Sequence, residues 1–341
     1  GGSGQVAVLS VQNSGEIVAN AFADADSLGV VSAEASAIGV NQAFTQFGPT
    51  GTQTFLPVVT AVINNSGHID ATAIALAGGG VTNFAYADAA GIQIFATGDP
   101  YNGAILNLDV VNSGSSIGVF ASASADGSGI ASANAIGIAV TGGVVIGAID
   151  NAGLIQATAV ATGGGGVYGT TGVGFASANA TGIGIVAETF AGAVNVIGGT
   201  IIAVASGPTA SANGIRIADH TYPTATPAYV PPGFGTATGT INLEDATIWA
   251  EISNDGGLSF DRGNAINVAA APNPIDINLD GLVDIYGNIL LSDDDIVNVG
   301  GRVYFDGIVN PGTTAAGVGV VNIEAGGTLT LAVNPALLDQ A

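Results

Sequence analysis

Residues 65–94 read NSGHIDATAIALAGGGVTNFAYADAAGIQI, and this stretch contains the pattern that decides the fold. It opens with Asn-Ser-Gly, places Ala at every second position over residues 71–77 and 85–89, and closes with Gly-Ile-Gln-Ile at 91–94. Successive side chains of a β-strand point to opposite faces, so a period of two indicates strands. The stretch therefore predicts strands that present small side chains to one face.

The same unit returns along the chain at unequal intervals. Its opening Asn stands at positions 13, 65, 112 and 151, with separations of 52, 47 and 39 residues. A degenerate fifth copy follows Gly198-Gly199 and ends with Gly214-Ile215-Arg216-Ile217. A unit that is kept while its loops vary is typical of repeat architectures with insertions.

Alanine alone favours helices over strands, so an amphipathic helix is the ordinary alternative. The period of two in every copy, with Gly and Asn at the breaks, excludes that alternative. Each coil then holds about three strands, and coils must stack because a single coil cannot bury its apolar face. We predict an all-β, right-handed parallel β-helix, or β-solenoid, with an Ala-rich narrow core and variable loop insertions.

The organisation changes after residue 206. Residues 1–206 carry the Ala-rich repeats, whereas residues 207–239 contain prolines that a central strand could not accommodate. Residues 240–341 have bulkier strand patterns such as Val297-Asn298-Val299. We expect three segments: the repeats, a Pro-rich loop insertion, and C-terminal coils continuous with the first part.

Composition excludes several classes of function. The formal charge is −23, from 26 acidic residues against three arginines and no lysine. Nucleic acid and anionic membrane surfaces both require a basic footprint, so neither is an expected partner. The absence of cysteine excludes a disulfide framework. The uncharged stretch 129–149 contains many Gly residues together with Ser132, Asn134 and Thr141, and it belongs to the repeat, which favours buried strands over membrane insertion.

The Asn-Ser-Gly-x-Ile repeats, together with FDGIVNPG at 305–312 and VNIEAGGTL at 321–329, resemble the passenger regions of bacterial autotransporters and related large repetitive surface adhesins. The resemblance covers most of the chain. It implies a β-helix exported to the bacterial cell surface, with a role in adhesion or surface structure. Since no membrane-anchoring barrel follows Ala341, we expect a released fragment or a subunit that assembles outside the cell.

Both ends of the sequence are strand-like. Residues 5–11 and 329–333 alternate as strands do and have no obvious cap. An uncapped solenoid exposes backbone groups and apolar side chains, and head-to-tail contacts between such ends propagate into filaments. We therefore predict self-association into an extracellular filament or adhesive fibre, with surface glycans or other cells as further partners. The alternative is that loops cover both ends.

One motif resembles a calcium loop. Asp276, Asn278, Asp280 and Asp284 lie in the sequence DINLDGLVD, which matches the Asp-x-Asn-x-Asp-Gly opening of such a loop. Gly287 stands where the loop needs its bidentate carboxylate. The alternative is the solvated face of an acidic strand, because apolar residues alternate with these polar ones. A solvated face is also the expectation for Asp293-Asp294-Asp295.

Catalysis has little support, and we expect no enzyme. The alternative function is a carbohydrate-acting β-helix enzyme, a polysaccharide lyase or hydrolase, that uses the loop of residues 216–235. Its candidate residues are Arg216, Asp219 and His220, since such enzymes combine a basic residue with carboxylates in a groove. His68 occupies the variable position of a turn motif.

Overall fold

The computed structural model describes ten segments of the chain: residues 6–45, 58–79, 82–97, 104–114, 116–126, 129–163, 175–220, 237–292, 294–311 and 319–332. In these segments there are 25 strands and no helix. No helix of these segments could therefore span a membrane, and most of the uncharged stretch 129–149 forms one long strand.

The first thirteen strands, in chain order, are β1 Val6–Asn13, β2 Glu16–Asp26, β3 Val30–Thr45, β4 Val58–Asn65, β5 His68–Gly78, β6 Thr82–Thr97, β7 Ile105–Asn112, β8 Ser116–Ala125, β9 Ile130–Asn151, β10 Leu154–Gly163, β11 Phe175–Ile197, β12 Thr200–Ser206 and β13 Thr209–Asp219. The remaining strands are β14 Gly239–Glu244, β15 Thr247–Ser253, β16 Asp261–Arg262, β17 Asn264–Ala270, β18 Ile275–Asp280, β19 Leu282–Tyr286, β20 Asn288–Leu290, β21 Ile296–Val299, β22 Arg302–Asp306, β23 Val309–Asn310, β24 Val320–Ile323 and β25 Thr328–Leu331.

The strands stack in three parallel ladders. The first ladder is β1-β4-β7-β9-β11-β14-β18-β21-β24, the second is β2-β5-β8-β10-β12-β15-β19-β22-β25, and the third is β3-β6-β9-β11-β13-β17-β20-β23. The long strands β9 and β11 run through both the third and the first ladder, so these two form one 15-stranded sheet. The second ladder is the core of a separate ten-stranded sheet. The predicted parallel β-solenoid is confirmed, with nine coils in the described residues. Coils 1–9 are numbered in chain order by their strand in the second ladder, from β2 in coil 1 to β25 in coil 9.

The core follows the period of two. In β5 the odd-numbered residues from Ile69 to Ala77 are buried, while the alternate side chains face outward. One column of identical side chains runs through seven coils of the second ladder: Ile17, Ile69, Ile117, Ile155, Ile201, Ile248 and Ile285. Neighbouring columns are mostly alanine. The small side chains allow the sheets to approach closely, and hydrophobic burial stabilises the stack.

A column of glycines in the third ladder makes this close approach possible. Its members are Gly39, Gly91, Gly137, Gly182 and Gly214, and each lies against the isoleucine of the following coil. A Cβ at Gly39 would lie 2.5 Å from Ile69 Cγ2 and 2.7 Å from the carbonyl oxygen of Gly91. Neither neighbour can move freely, so the column requires glycine. Coil 6 ends this column, because Ala265 follows Gly214 in register.

An inner asparagine ladder closes one corner of coils 1–4. The side-chain amide of Asn13 donates to Asn65 Oδ1 at 2.8 Å, Asn65 donates to Asn112 at 2.8 Å, and Asn112 donates to Asn151 at 2.7 Å. Asn65, Asn112 and Asn151 are buried. The opening Asn of the sequence repeat therefore holds successive coils together through hydrogen bonds, beyond its predicted role in a turn.

From coil 5 onward this corner is aliphatic, and asparagine moves one residue earlier to the outward position. Val196, Leu243, Leu279 and Val299 continue the inner column. An outer asparagine ladder begins at Asp150, whose Oδ1 accepts from Asn195 at 2.6 Å. Its further members donate in turn to the preceding coil over 2.7–3.2 Å: Asn242, Asn278, Asn298 and Asn322.

Two sequence expectations differ in detail from the structure. The sequence predicts a loop over residues 207–239, but this segment contains β13, which completes the fifth coil, while residues 221–236 lie outside the described residues.

The sequence also predicts Asp295 on a solvated face, but this residue is 0% exposed. Its carboxylate accepts from the backbone N–H groups of Ile275 and Ser292, at 2.8 and 2.5 Å, and from Ser292 Oγ at 2.9 Å. These three hydrogen bonds explain why the Asp295 carboxylate can be buried. The sequence does not reveal that the donors lie close to it.

Candidate functional site

Both ends of the described solenoid carry strands with an open edge. At the N-terminal end β1, β2 and β3 each pair on one side only, and at the C-terminal end the same is true of β23, β24 and β25 in the part of the chain that the structure describes. An unpaired strand edge presents backbone donors and acceptors that can pair with another strand. The N-terminal end therefore offers the edges of three strands of one coil. The described C-terminal end offers the edges of β24 and β25 in coil 9 and, one coil earlier, of β23.

Inward positions that are buried in the middle of the solenoid are exposed in its last coil. Val321, Ile323 and Leu331 are 41%, 57% and 56% exposed, whereas Val297 and Val299, one coil earlier in the same columns, are buried. The first coil shows the same effect more weakly. The inward residues of β1 and β2, such as Leu9 and Ile17, are only partly buried, whereas most of those in β3 are buried. Each end of the described solenoid thus combines exposed apolar side chains in its centre with backbone hydrogen-bonding groups along the open strand edges.

Gln42 is an exception within the core of the first coil. It is 5% exposed and occupies a column in which the next coil has Ile94. Its Oε1 atom is buried and has no hydrogen-bond partner among the described residues. A buried unpaired acceptor destabilises a fold by about 1–3 kcal/mol, so a donor supplied at this end of the solenoid would be stabilising.

A second surface feature lies on the outward face of the ten-stranded sheet in coils 6–8. The rings of Trp249 and Tyr286 contact each other at a centroid distance of 4.4 Å with their planes tilted by 31°, and the centroid of Tyr304 lies 5.6 Å from that of Tyr286. The guanidinium carbon of Arg262 lies 5.6 Å from the centroids of both Trp249 and Tyr286. Cation–π attraction therefore holds the arginine over the first two rings.

Two carboxylates fix Arg262 in this position. Its Nη1 donates to Glu251 at 2.8 Å, and its Nη2 bonds to Asp306.

Burial raises the pKa of the Tyr286 hydroxyl, and the negative charge of Asp284 raises it further. The phenol is consequently a neutral donor over the physiological range. We call Trp249, Tyr286, Tyr304 and Arg262 the aromatic cluster.

A groove of about 260 Å³ continues from this cluster toward the C-terminal end of the sheet. Two rows of outward side chains form its walls, each with one residue from β19, β22 and β25: Leu282, Arg302 and Thr328 in one row, and Asp284, Tyr304 and Thr330 in the other. The groove therefore combines one aromatic ring, one charge of each sign and three hydroxyl groups, of which Tyr304 supplies one.

The predicted calcium residues do not share one surface. Asp276 and Asn278 lie on the outward face of β18 in the 15-stranded sheet, whereas Asp284 lies on β19 in the other sheet. Asn278 belongs to the outer asparagine ladder, so its amide already has partners on both sides. Asp280-Gly281 forms the turn between the sheets, with Gly281 at a φ of 65°. Across the described segments no group of three or more His, Cys, Asp or Glu side chains could hold a metal. The calcium site therefore stays a prediction.

The candidate catalytic residues lie at the end of coil 5. Arg216 is exposed on β13, Asp219 ends that strand, and the backbone N–H of His220 donates to Ala187 O at 2.9 Å. The ion pairs found in the described part of the chain are those of Arg262, not of Arg216. His68 Nδ1 lies 2.7 Å from Ser116 Oγ in the next coil. The enzyme alternative stays a prediction that loss of lyase or hydrolase activity in Arg216→Ala would support.

No family model, curated protein or solved structure matches this chain. The β-solenoid is therefore established by the strand pairing of the chain itself. The autotransporter or adhesin resemblance adds a proposal about the setting in which the solenoid works.

Sequence reasoning did not find the aromatic cluster. Its signal was present, since the chain has one Trp and three Arg, and one of each occurs in this cluster. Only the register between coils shows that Trp249 and Tyr286 are neighbours, because 37 residues separate them in sequence.

Proposed function

We propose that this protein is an extracellular structural or adhesive β-solenoid whose copies assemble head to tail into a fibre at the bacterial cell surface. The observation that carries the proposal is the pair of open ends. In the described residues three strands at each end, β1–β3 and β23–β25, pair with a neighbour on one side only. The resemblance to autotransporter passengers and surface adhesins supports the extracellular setting.

The register of the ladders suggests how two copies would meet. The column of Ile17 ends at Leu331, the column of Val40 ends at Val309, and the column of Asn13 ends at Ile323. Val309 lies in coil 8, whereas Leu331 and Ile323 lie in coil 9. A second copy stacked on coil 9 in the same register would therefore place Ile17 against Leu331, both apolar, and Asn13 against Ile323. Burial of exposed apolar surface is the driving force we expect for the junction.

Charge favours contact at the ends over contact at the sides. The formal charge of −23 is carried largely by outward carboxylates, so the lateral surfaces of two copies repel each other. A head-to-tail contact is heterologous, since it joins two different surfaces, and repeats without closing unless the rotation forms a ring. A single-file fibre is the arrangement that satisfies both conditions.

Electron microscopy of the purified protein tests this proposal. We expect the wild type to form fibres one solenoid wide, and Leu331→Asp to abolish them because it places a charge at the end of the apolar Ile17 column, where the second copy stacks. Leu258→Asp is the matched control: Leu258 is 89% exposed in a loop of coil 6, away from both ends, and its variant should form fibres normally. Monomeric rods in the wild type at every concentration tried would refute the proposal.

A further inference from the structure

We propose that the groove beside the aromatic cluster binds a neutral carbohydrate. The proposal deepens the adhesive role proposed above and rests on it for biological meaning. The binding itself needs only the folded coils 7–9.

Tyr304 is the ring that is available to a ligand. Trp249 and Tyr286 are covered by each other and by Arg262, so their faces are already occupied. Tyr304 contacts Tyr286 at one side only and lines the groove at the other. Tyrosine offers a flat apolar face together with a polar hydroxyl, which suits a ligand that has both apolar and hydroxyl surfaces.

The polar groups around this ring include both donors and acceptors. Arg302 only donates hydrogen bonds, Asp284 as a carboxylate only accepts them, and Thr328 and Thr330 can do either. Sugar hydroxyls also donate and accept, and a pyranose ring presents a face of C–H groups. The groove therefore matches a sugar in each of its surface types.

Other ligand classes fit less well. An anion such as phosphate would be attracted by Arg302 but repelled by Asp284 and by the net charge of −23. A purely apolar ligand would leave the two charges without water or a partner. A metal ion would find a single carboxylate in the groove. Acidic polysaccharides meet the same repulsion as phosphate, so the expected ligand is neutral.

The pairing of strands gives the groove a rigid base. Leu282, Arg302 and Thr328 are aligned across three hydrogen-bonded strands, as are Asp284, Tyr304 and Thr330. Polar side chains held by a sheet lose less freedom on binding than those on loops, which favours affinity. Arg262, fixed by Glu251 and Asp306, lies over Tyr286, and the ring of Tyr286 contacts Tyr304.

Titration calorimetry with defined tetrasaccharides tests the proposal. The probes are the neutral maltotetraose, cellotetraose, laminaritetraose and mannotetraose, with tetragalacturonate as the acidic comparison. We expect at least one neutral probe to bind, tetragalacturonate not to bind, and Tyr304→Ala to weaken the neutral interaction about tenfold. Tyr86→Ala is the matched control, since Tyr86 is also an outward, partly exposed tyrosine but lies in coil 2. The Tyr86→Ala variant should bind the neutral tetrasaccharide with the same affinity as the wild type.

Asp284→Asn provides a second variant if Tyr304→Ala does not fold, and should also weaken binding because it exchanges a strong acceptor for an amide. Absence of binding by all four neutral probes, or binding that neither groove variant changes, would overturn the inference. Fibre formation is measured separately by microscopy. Fibres without sugar binding would refute only the proposed sugar binding in the groove. Sugar binding by monomeric rods would refute only the proposed assembly into fibres.

Discussion

The first five coils and the last four solve the same packing problem in different ways. In the N-terminal region, coils 1–5 of residues 6–220, the core is narrow and consists largely of alanine, with the glycine column and, in coils 1–4, the inner asparagine ladder. In the C-terminal region, coils 6–9 of residues 237–332, the core contains Ile, Leu and Val, and the asparagines lie outside. The strands of the second ladder shorten from 11 residues in β2 to 4 in β25.

The difference shows that side-chain volume and strand length compensate for each other. Alanine buries little surface per residue, so the N-terminal coils use long strands and buried hydrogen bonds to hold successive coils together. Larger aliphatic residues bury more surface each, about 25 cal/mol for every Å² of apolar area, so short strands suffice. The N-terminal region should consequently be sensitive to any added atom, and the C-terminal region to lost atoms.

The largest expected effect is in the glycine column. A Cβ at Gly137 would collide with Ile155 and lie 2.5 Å from the carbonyl oxygen of Gly182. We expect Gly137→Val to lower the free energy of unfolding by about 3 kcal/mol or more, as overpacking of a rigid core does. Ala265→Gly, in the same column of coil 6, should cost only about 1 kcal/mol. Urea unfolding followed by circular dichroism measures both, and equal costs would contradict the contrast between the regions.

The second prediction compares the two asparagine ladders. Asn112→Ala leaves the amide of Asn65 and the oxygen of Asn151 without their partner in a buried corner, and we expect it to cost about 2–3 kcal/mol. Asn278→Ala removes a similar pair of bonds from the half-buried outer ladder, where water can replace them, and should cost about 1 kcal/mol. Thermal and urea unfolding of both variants provide the measurement. A larger cost for Asn278→Ala would reverse our view of the ladders.

The third prediction concerns the aromatic cluster, which has no counterpart in the described N-terminal region. Arg262→Ala removes two ring contacts and two ion pairs that are partly exposed, and we expect a loss of about 1 kcal/mol. Tryptophan fluorescence should also shift to longer wavelength as Trp249 becomes more hydrated. Arg302→Ala is the control, because Arg302 is exposed and makes no ion pair with a described residue, and should leave the fluorescence unchanged.

The smallest effect is a dependence of stability on pH in coil 7. Burial raises the pKa of Asp295, although hydrogen bonds from Ser292 and Ile275 partly oppose the shift. The folded protein therefore binds this proton at a higher pH than the unfolded chain does. The contribution of Asp295 to stability therefore increases as the pH falls from the raised pKa of the folded state toward about 3.9, the pKa of an Asp side chain in the unfolded state.

Wild type should accordingly gain stability relative to Asp295→Asn as the pH falls from about 7 toward about 4. Asp294→Asn is the control, because Asp294 is exposed and Asn also tolerates its φ of 66°. Urea unfolding at several pH values checks the prediction. A difference between wild type and Asp295→Asn that does not change with pH would contradict it.

Much of the fold could be read from the chain because its signals are local and repeated. Ala at every second residue predicted strands in every N-terminal copy, and Asn-x-Gly predicted the turns. The stacking of coils followed, since one narrow strand cannot bury its own face. The aromatic cluster and its groove could not be predicted in this way, because their residues are far apart in sequence and belong to coils without the repeat motif.

The sequence by itself determined the strand parity, the narrow alanine core and the repeat of the coil, because each depends on neighbours only a few residues away. The tertiary structure alone decided the register between coils. That register places Gly137 against Ile155, turns single asparagines into two ladders that meet at Asp150 and Asn151, and aligns Asp284 with Tyr304. Loops of variable length separate these partners, so only the hydrogen-bonded stacking of the strands fixes which side chains meet.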